Sequence, residues 1–131
     1  MYLLDTCSVS DFVKGDKNTL AKIQSTNPDD IFLSTISYME IEFGLQKNPK
    51  KAKFIQNILN DLFHSINLLE FGIEEARSAG LIRADLTKKG TLIGPYDLLI
   101  AATAIHHHLI LITSNTSEFE RVQNLVCENW R

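Results

Sequence analysis

Gly94-Pro95-Tyr96-Asp97-Leu98-Leu99-Ile100-Ala101-Ala102-Thr103-Ala104, with Leu109-Ile110-Leu111-Ile112 shortly after it, is the stretch whose reading decides the fold. Pro95 suits the first position of a helix, where its missing N–H costs nothing and its fixed φ is already helical. From Leu98 to Ile105 the segment is apolar nearly all round, which predicts a helix buried on most of its faces. The continuous apolar run Leu109–Ile112 predicts a strand covered on both sides, as in a parallel sheet. Asp97 is the exception, a carboxylate in the first turn of a greasy helix. It is costly there unless it meets a partner, a donor or a metal ion. Favourable contact with the helix dipole is the local alternative.

Outward from this unit the chain alternates strand and helix. Tyr2-Leu3-Leu4 reads as a short buried strand ending at Asp5, and a helix then runs to about Lys14 before Gly15-Asp16. A polar helix to about Ser25 and the turn Asn27-Pro28-Asp29-Asp30 precede a second strand, Ile31–Thr35. Helices are expected from Ser37 to about Leu45 and over Lys50–His64, the latter with Phe54, Ile55, Ile58, Leu59, Leu62 and Phe63 along one stripe. Ile66–Leu69 reads as a third strand, and Ile73 to Leu86 as a helix closed by Lys88-Lys89-Gly90. After the Leu109–Ile112 strand come a short helix at Ser117–Glu120 and a final edge strand at Val126-Cys127. Strands alternating with helices predict an α/β fold, with helices on both faces of a parallel sheet of four to five strands.

The 131 residues, 44% of them hydrophobic, are expected to form a single domain over 1–131. A chain of this length buries roughly two-thirds of its unfolded surface, enough for a real core. No apolar run approaches the ~20 residues of a membrane helix, and Met1-Tyr2-Leu3-Leu4-Asp5 lacks a basic leader. Cys7 and Cys127, far apart and in no metal-type spacing, fit a reduced, cytoplasmic protein. A net charge of −3 argues against a polyanion partner only until candidate metal ligands are set aside. Without four of the 16 acids, the remainder is positive by one against 13 basic residues.

Function is read from where the acids fall, because sites in open parallel sheets form at the carboxyl ends of the strands. Asp5 ends the first strand, Glu40 lies in the helix after the second, Asp97 opens the helix that feeds the strand at Leu109, and Glu118 lies just beyond that strand. Each has a local explanation: Asp5 as a helix cap, Ser37-Tyr38-Met39-Glu40 as a capping box, Glu118 as a first-turn acid. Four together near strand ends is what those explanations leave over. Carboxylates packed together repel, so such a cluster is stable around a strong cation. Oxygen ligands without a Cys/His set select Mg²⁺ or Mn²⁺.

Leu4-Asp5-Thr6, Ser37–Gly44, Gly94-Pro95-Tyr96-Asp97 with Ile100-Ala101-Ala102, and Thr113–Phe119 occur in the order of the PIN-domain ribonucleases, which this chain resembles over essentially its whole length. The likeness is greatest to the VapC toxins of bacterial toxin–antitoxin pairs and includes the closing Glu128-Asn129-Trp130. The resemblance implies a three-layer α/β/α fold and Mg²⁺- or Mn²⁺-dependent endonucleolytic cleavage of RNA. The implied substrate is tRNA, with the anticodon loop of initiator tRNA as one target. It further implies a VapB-like antitoxin partner, bound near the Lys50–His64 helix, and a homodimer. Asp5, Glu40 and Asp97 match the family's acidic metal-binding positions. Many PIN sequences have Asp where this chain has Asn115; Glu118, three residues on, is taken as the fourth carboxylate, with Thr6, Thr113 and Asn115 in support.

Candidate phosphate contacts are Lys14, Lys17, Lys47, Lys50, Lys51 and Arg83. His106-His107-His108 does not read as a metal site, since successive helical positions point ~100° apart. Cys7 reads as a small buried filler, and Trp130 as the cover of a core edge or interface. Two other functions fit an acidic pocket on this fold. A phosphoacceptor domain needs paired acids after the first strand and a lysine after the last, and Thr6-Cys7 and Ser114-Asn115 supply neither. A catalytically weak PIN scaffold, binding protein or RNA, is the reading that Asn115 favours.

Overall fold

Each strand is three or four residues long where it crosses the core, and its side chains alternate between two helical layers. In the computed structural model, which describes residues 1–131, these strands are β1 (Tyr2–Leu4), β2 (Ile31–Ser34), β3 (Asn67–Leu69) and β4 (Ile110–Ile112), with a two-residue β5 (Cys127–Glu128) at the edge. They form one sheet in the order β3-β2-β1-β4-β5, parallel at every pairing. The helices are α1 (Thr6–Lys14), α2 (Lys17–Ser25), α3 (Thr35–Lys47), α4 (Pro49–Ser65), α5 (Ile73–Lys89), α6 (Pro95–His106) and α7 (Thr116–Phe119). The expected three-layer α/β/α arrangement is what is observed. No helix is long and apolar enough to cross a membrane.

The period of two along a strand divides the core. Leu4 and Ile112 enter one cluster with Val9, Ile23, Leu33, Leu45, Leu59 and Leu62, under α1 to α4. Leu3 and Leu111 enter the other with Leu86, Leu98, Ile100, Ala101, Ala104 and Phe119, under α5, α6 and α7. Ala101, Ala102 and Ala104 are fully buried, which lets α6 lie close to the sheet and to α5. Trp130 closes the edge of the first cluster, edge-on to Tyr2 with ring centroids 5.1 Å apart. Gly15 and Gly90 end α1 and α5 in the left-handed conformation, at φ 82° and 66°, that side-chain-bearing residues adopt reluctantly.

This strand order sets the site. The chain builds outward from β1 through β2 to β3, then crosses back to place β4 on the other side of β1. The carboxyl ends of β1 and β4 therefore flank the point where the winding reverses, and helices leaving them diverge to open a crevice there.

One local expectation is corrected. Ser37-Glu40 is not a capping box, because α3 begins directly after β2, with Ser34 as its cap accepting from the Ile36 N–H at 3.1 Å. No loop separates strand from helix. Ser37 is thereby carried into the helix, fully buried, and its hydroxyl has no hydrogen-bond partner. A buried hydroxyl without a partner costs about 1–3 kcal/mol, and Ala is the better helix former. Ser37→Ala is expected to raise the thermal midpoint by about 3–5 °C, read by calorimetry. A lowered midpoint would show that the hydroxyl is satisfied after all.

Candidate active site

The crevice is built from four segments. Asp5 follows β1 directly and caps α1, its Oδ1 accepting from the Ser8 N–H at 2.7 Å. Its backbone N–H donates to the Ile112 carbonyl at 3.1 Å, and the Ser8 hydroxyl donates to the same carbonyl at 2.8 Å, so the start of α1 is fastened to the end of β4. The capping reading of Asp5 and its place in the crevice are therefore compatible. The Thr113 hydroxyl also donates to the Asp5 carboxylate. Asp5 is buried, and that burial raises its pKa despite these donors.

Glu40, on α3, is held from across the crevice by the Thr6 hydroxyl, which donates to its Oε1 at 2.8 Å. Glu118, on α7, accepts the Gly94 N–H on Oε1 at 2.7 Å and the Asn115 side-chain amide on Oε2 at 2.6 Å. The Gly94 N–H, with Asn115 also contributing, holds the Glu118 carboxyl below its ordinary range. Asn115 donates its own backbone N–H to the Thr113 hydroxyl at 2.9 Å, which joins the Asp5 and Glu118 sides of the crevice. Thr113 is buried, while Thr6 and Asn115 are partly exposed.

Asp97 lies in the first turn of α6, and its carboxyl stands beside that of Glu118 next to Gly94. Its carboxyl is pushed up from 3.8 to about 6, first by burial and then by the charges of Glu118, Asp5 and Glu40. Of the two carboxyls, Asp97 is the one pushed up and Glu118 the one held down, since Glu118 has two amide donors and Asp97 has none of comparable strength. The Cys7 thiol senses part of the same field. It is exposed rather than buried, and partial desolvation, followed by the charges of Asp5, Asp97, Asp11 and Glu40, raises its pKa. The filler reading of Cys7 is thus corrected.

The acids share one crevice, but no three of these residues bring an oxygen each within 4.8 Å of one another. That spacing suits a hard ion that keeps several of its waters and takes only one or two carboxylates directly. Hard oxygen donors, burial of Asp5 and the raised Asp97 carboxyl fit such an ion. The sequence reading passed over Asp11. It is buried on α1, charge-coupled to Asp5, and paired with Arg131 at 2.8 Å. A single acid within a short helix, answered by the last residue of the chain, leaves no local signal.

A pH effect follows with a definite sign. A carboxyl whose pKa is raised by folding favours the native state below its unfolded pKa, and that contribution is lost as pH rises through the native value. In chelator, Asp97→Asn is expected to gain stability relative to the parent as pH rises from about 4 through about 6, levelling off near 7. Denaturant melts across that window check it, and a constant difference would contradict it.

Comparison with known proteins agrees with this fold. The family model for the PIN domain matches residues 2–125. Ribonuclease VapC2 of Rickettsia felis is 33% identical over 134 residues, covering 99% of this chain and 98% of its own. The tRNA(fMet)-specific endonuclease VapC of Salmonella typhimurium is 29% identical over 129 residues, covering 98% of this chain and 97% of its own. Among solved structures, VapBC2 from Rickettsia felis bound to a DNA fragment from their promoter superimposes with a TM-score of 0.91 at 30% identity, over 99% of this chain and 98% of that one. The chain belongs to the PIN-domain family and, within it, to the VapC proteins.

Proposed function

We propose that this protein is a divalent-cation-dependent endoribonuclease, the toxin of a toxin–antitoxin pair, acting on tRNA in the cytoplasm. The observation that carries the reading is the gathering of Asp5, Glu40, Asp97 and Glu118, distant in sequence, at the carboxyl ends of β1 and β4. These four would hold Mg²⁺ or Mn²⁺, one or two of them directly and the others through its waters. Such an ion, when bound, stabilises charge on a phosphoryl oxygen and lowers the pKa of water. The chain's own part is to keep the carboxylates aimed. Thr6 fixes Glu40, Ser8 and Thr113 fix Asp5, and Gly94 and Asn115 fix Glu118. Asn115 on this reading is an orienting residue, and its amide takes the place of a further negative charge.

Substrate and partner rest on relatives. The Salmonella protein's name gives tRNA(fMet) as its target, which makes initiator tRNA, cut in its anticodon loop, the first substrate to try here. The Rickettsia structure pairs VapC2 with VapB2 on DNA, which supports a VapB-like antitoxin for this chain. A largely apolar groove of ≈ 210 Å³ between α1, α3 and α4 has Lys14 and Lys51 on its border and runs up to Thr6 and Glu40. An amphipathic helix of the antitoxin laid there would reach the acids from the protein side. A homodimer of the toxin completes the proposed assembly.

The test is pulsed expression in cells followed by sequencing of RNA 5′ ends, beside the Asp5→Asn variant. New ends confined to one or a few tRNAs, absent with the variant, are expected. Ends that are equally abundant with the variant would overturn the reading. Mn²⁺ binding without any cleavage by purified protein would favour the scaffold alternative.

A further inference from the structure

We propose that Glu75, His106 and His107 form a second metal site, for a borderline ion such as Zn²⁺, which clamps the start of α5 to the end of α6. Each of the three offers a ligand atom, and these atoms lie within 4.8 Å of one another. His107 Nε2 is 3.1 Å from Glu75 Oε1. Two ligands held at about 2.0–2.1 Å from one ion, at a near-tetrahedral angle, stand roughly that far apart.

The adjacent histidines come together where the helix stops. α6 ends at His106, His107 adopts φ −91° and ψ 5°, and His108 turns left-handed at φ 54°. Successive side chains leave a helix ~100° apart, yet these two rings reach each other and stand edge to face with centroids 4.8 Å apart. Glu75 is buried and oriented from behind. Its Oε2 accepts the N–H of Gly72, the N-cap of α5, at 2.8 Å, which leaves Oε1 turned toward His107. Such support fixes the geometry of a ligating carboxylate.

The donor set differs in kind from that of the acidic crevice. Two imidazoles and one carboxylate select Zn²⁺, Ni²⁺ or Cu²⁺ over Mg²⁺ and Mn²⁺. His107 is 32% exposed, so water can complete the coordination. Asp97 and His106 lie at opposite ends of α6, roughly 13 Å apart along the axis, so the two sites do not share ligands.

The probe is Co²⁺, added to the full-length, chelator-stripped chain in excess Mg²⁺, with Zn²⁺ as competitor. One equivalent should bind with the visible absorption of imidazole ligation, be displaced by Zn²⁺, and raise the thermal midpoint. His106→Ala and His107→Ala, both at the surface end of α6, should each weaken binding at least about 10-fold. Asp5→Asn with Asp97→Asn should leave it unchanged. Absence of saturable binding at micromolar Co²⁺ would overturn the proposal. So would equal affinity in His107→Ala, or loss of binding in the Asp5/Asp97 variant.

Discussion

Asp97→Asn is expected to lower cation-dependent RNA cleavage at least about 100-fold while raising the thermal midpoint of the metal-free protein. The two effects have one cause. Asp97 is desolvated at the first turn of α6 and faces Glu118, with Asp5 and Glu40 also in range, so its ionised form is disfavoured in the absence of a cation. An amide of the same shape removes that repulsion and keeps contact with Glu118, so the folded state gains while the crevice loses a charged ligand. The cost to function and the gain to stability should therefore appear in the same variant. Initial rates on tRNA with saturating Mn²⁺, and melts in chelator, read them separately. A variant that cuts as the parent does would remove Asp97 from the proposed chemistry. A lower midpoint in chelator would mean that the carboxylate is stabilised by something other than an ion.

Asp5 carries two roles that two substitutions separate. Asn is as good a helix cap as Asp, so Asp5→Asn should retain the bond from Ser8 and much of the stability. Its cleavage should nevertheless fall at least about 100-fold, because the charge is gone. Asp5→Ala loses the cap as well and should destabilise by about 1–2 kcal/mol beyond Asn. If Asn cuts normally and only Ala fails, Asp5 serves the fold and not the reaction. Denaturant unfolding beside single-turnover cleavage distinguishes the cases.

Much of the architecture is legible in the residues, for identifiable reasons. The apolar runs at Tyr2–Leu4 and Ile110–Ile112 are short, bounded and covered on both faces, so their strand character and parallel pairing follow from pattern. Asp5, Glu40, Asp97 and Glu118 stand out because they follow or flank those runs. What the sequence does not reveal is order across the sheet. Placing β4 beside β1 depends on packing between α5 and α6, which no local pattern encodes. Ser37-x-x-Glu40 fits a capping box by pattern, while the helix starts one turn earlier, at Ser34, with no turn residue to mark it. Glu75 meets His107 across 32 residues, and α6 ends at His106 with no glycine to announce it, since His108 itself takes the left-handed turn.

Mn²⁺ titration followed by electron paramagnetic resonance tests, without any RNA, whether the acidic crevice binds a divalent ion. The parent protein at neutral pH should deplete the free Mn²⁺ signal saturably and release it to Mg²⁺, with affinity at least about 10-fold weaker in Asp97→Asn. Equal depletion by parent and variant would contradict it.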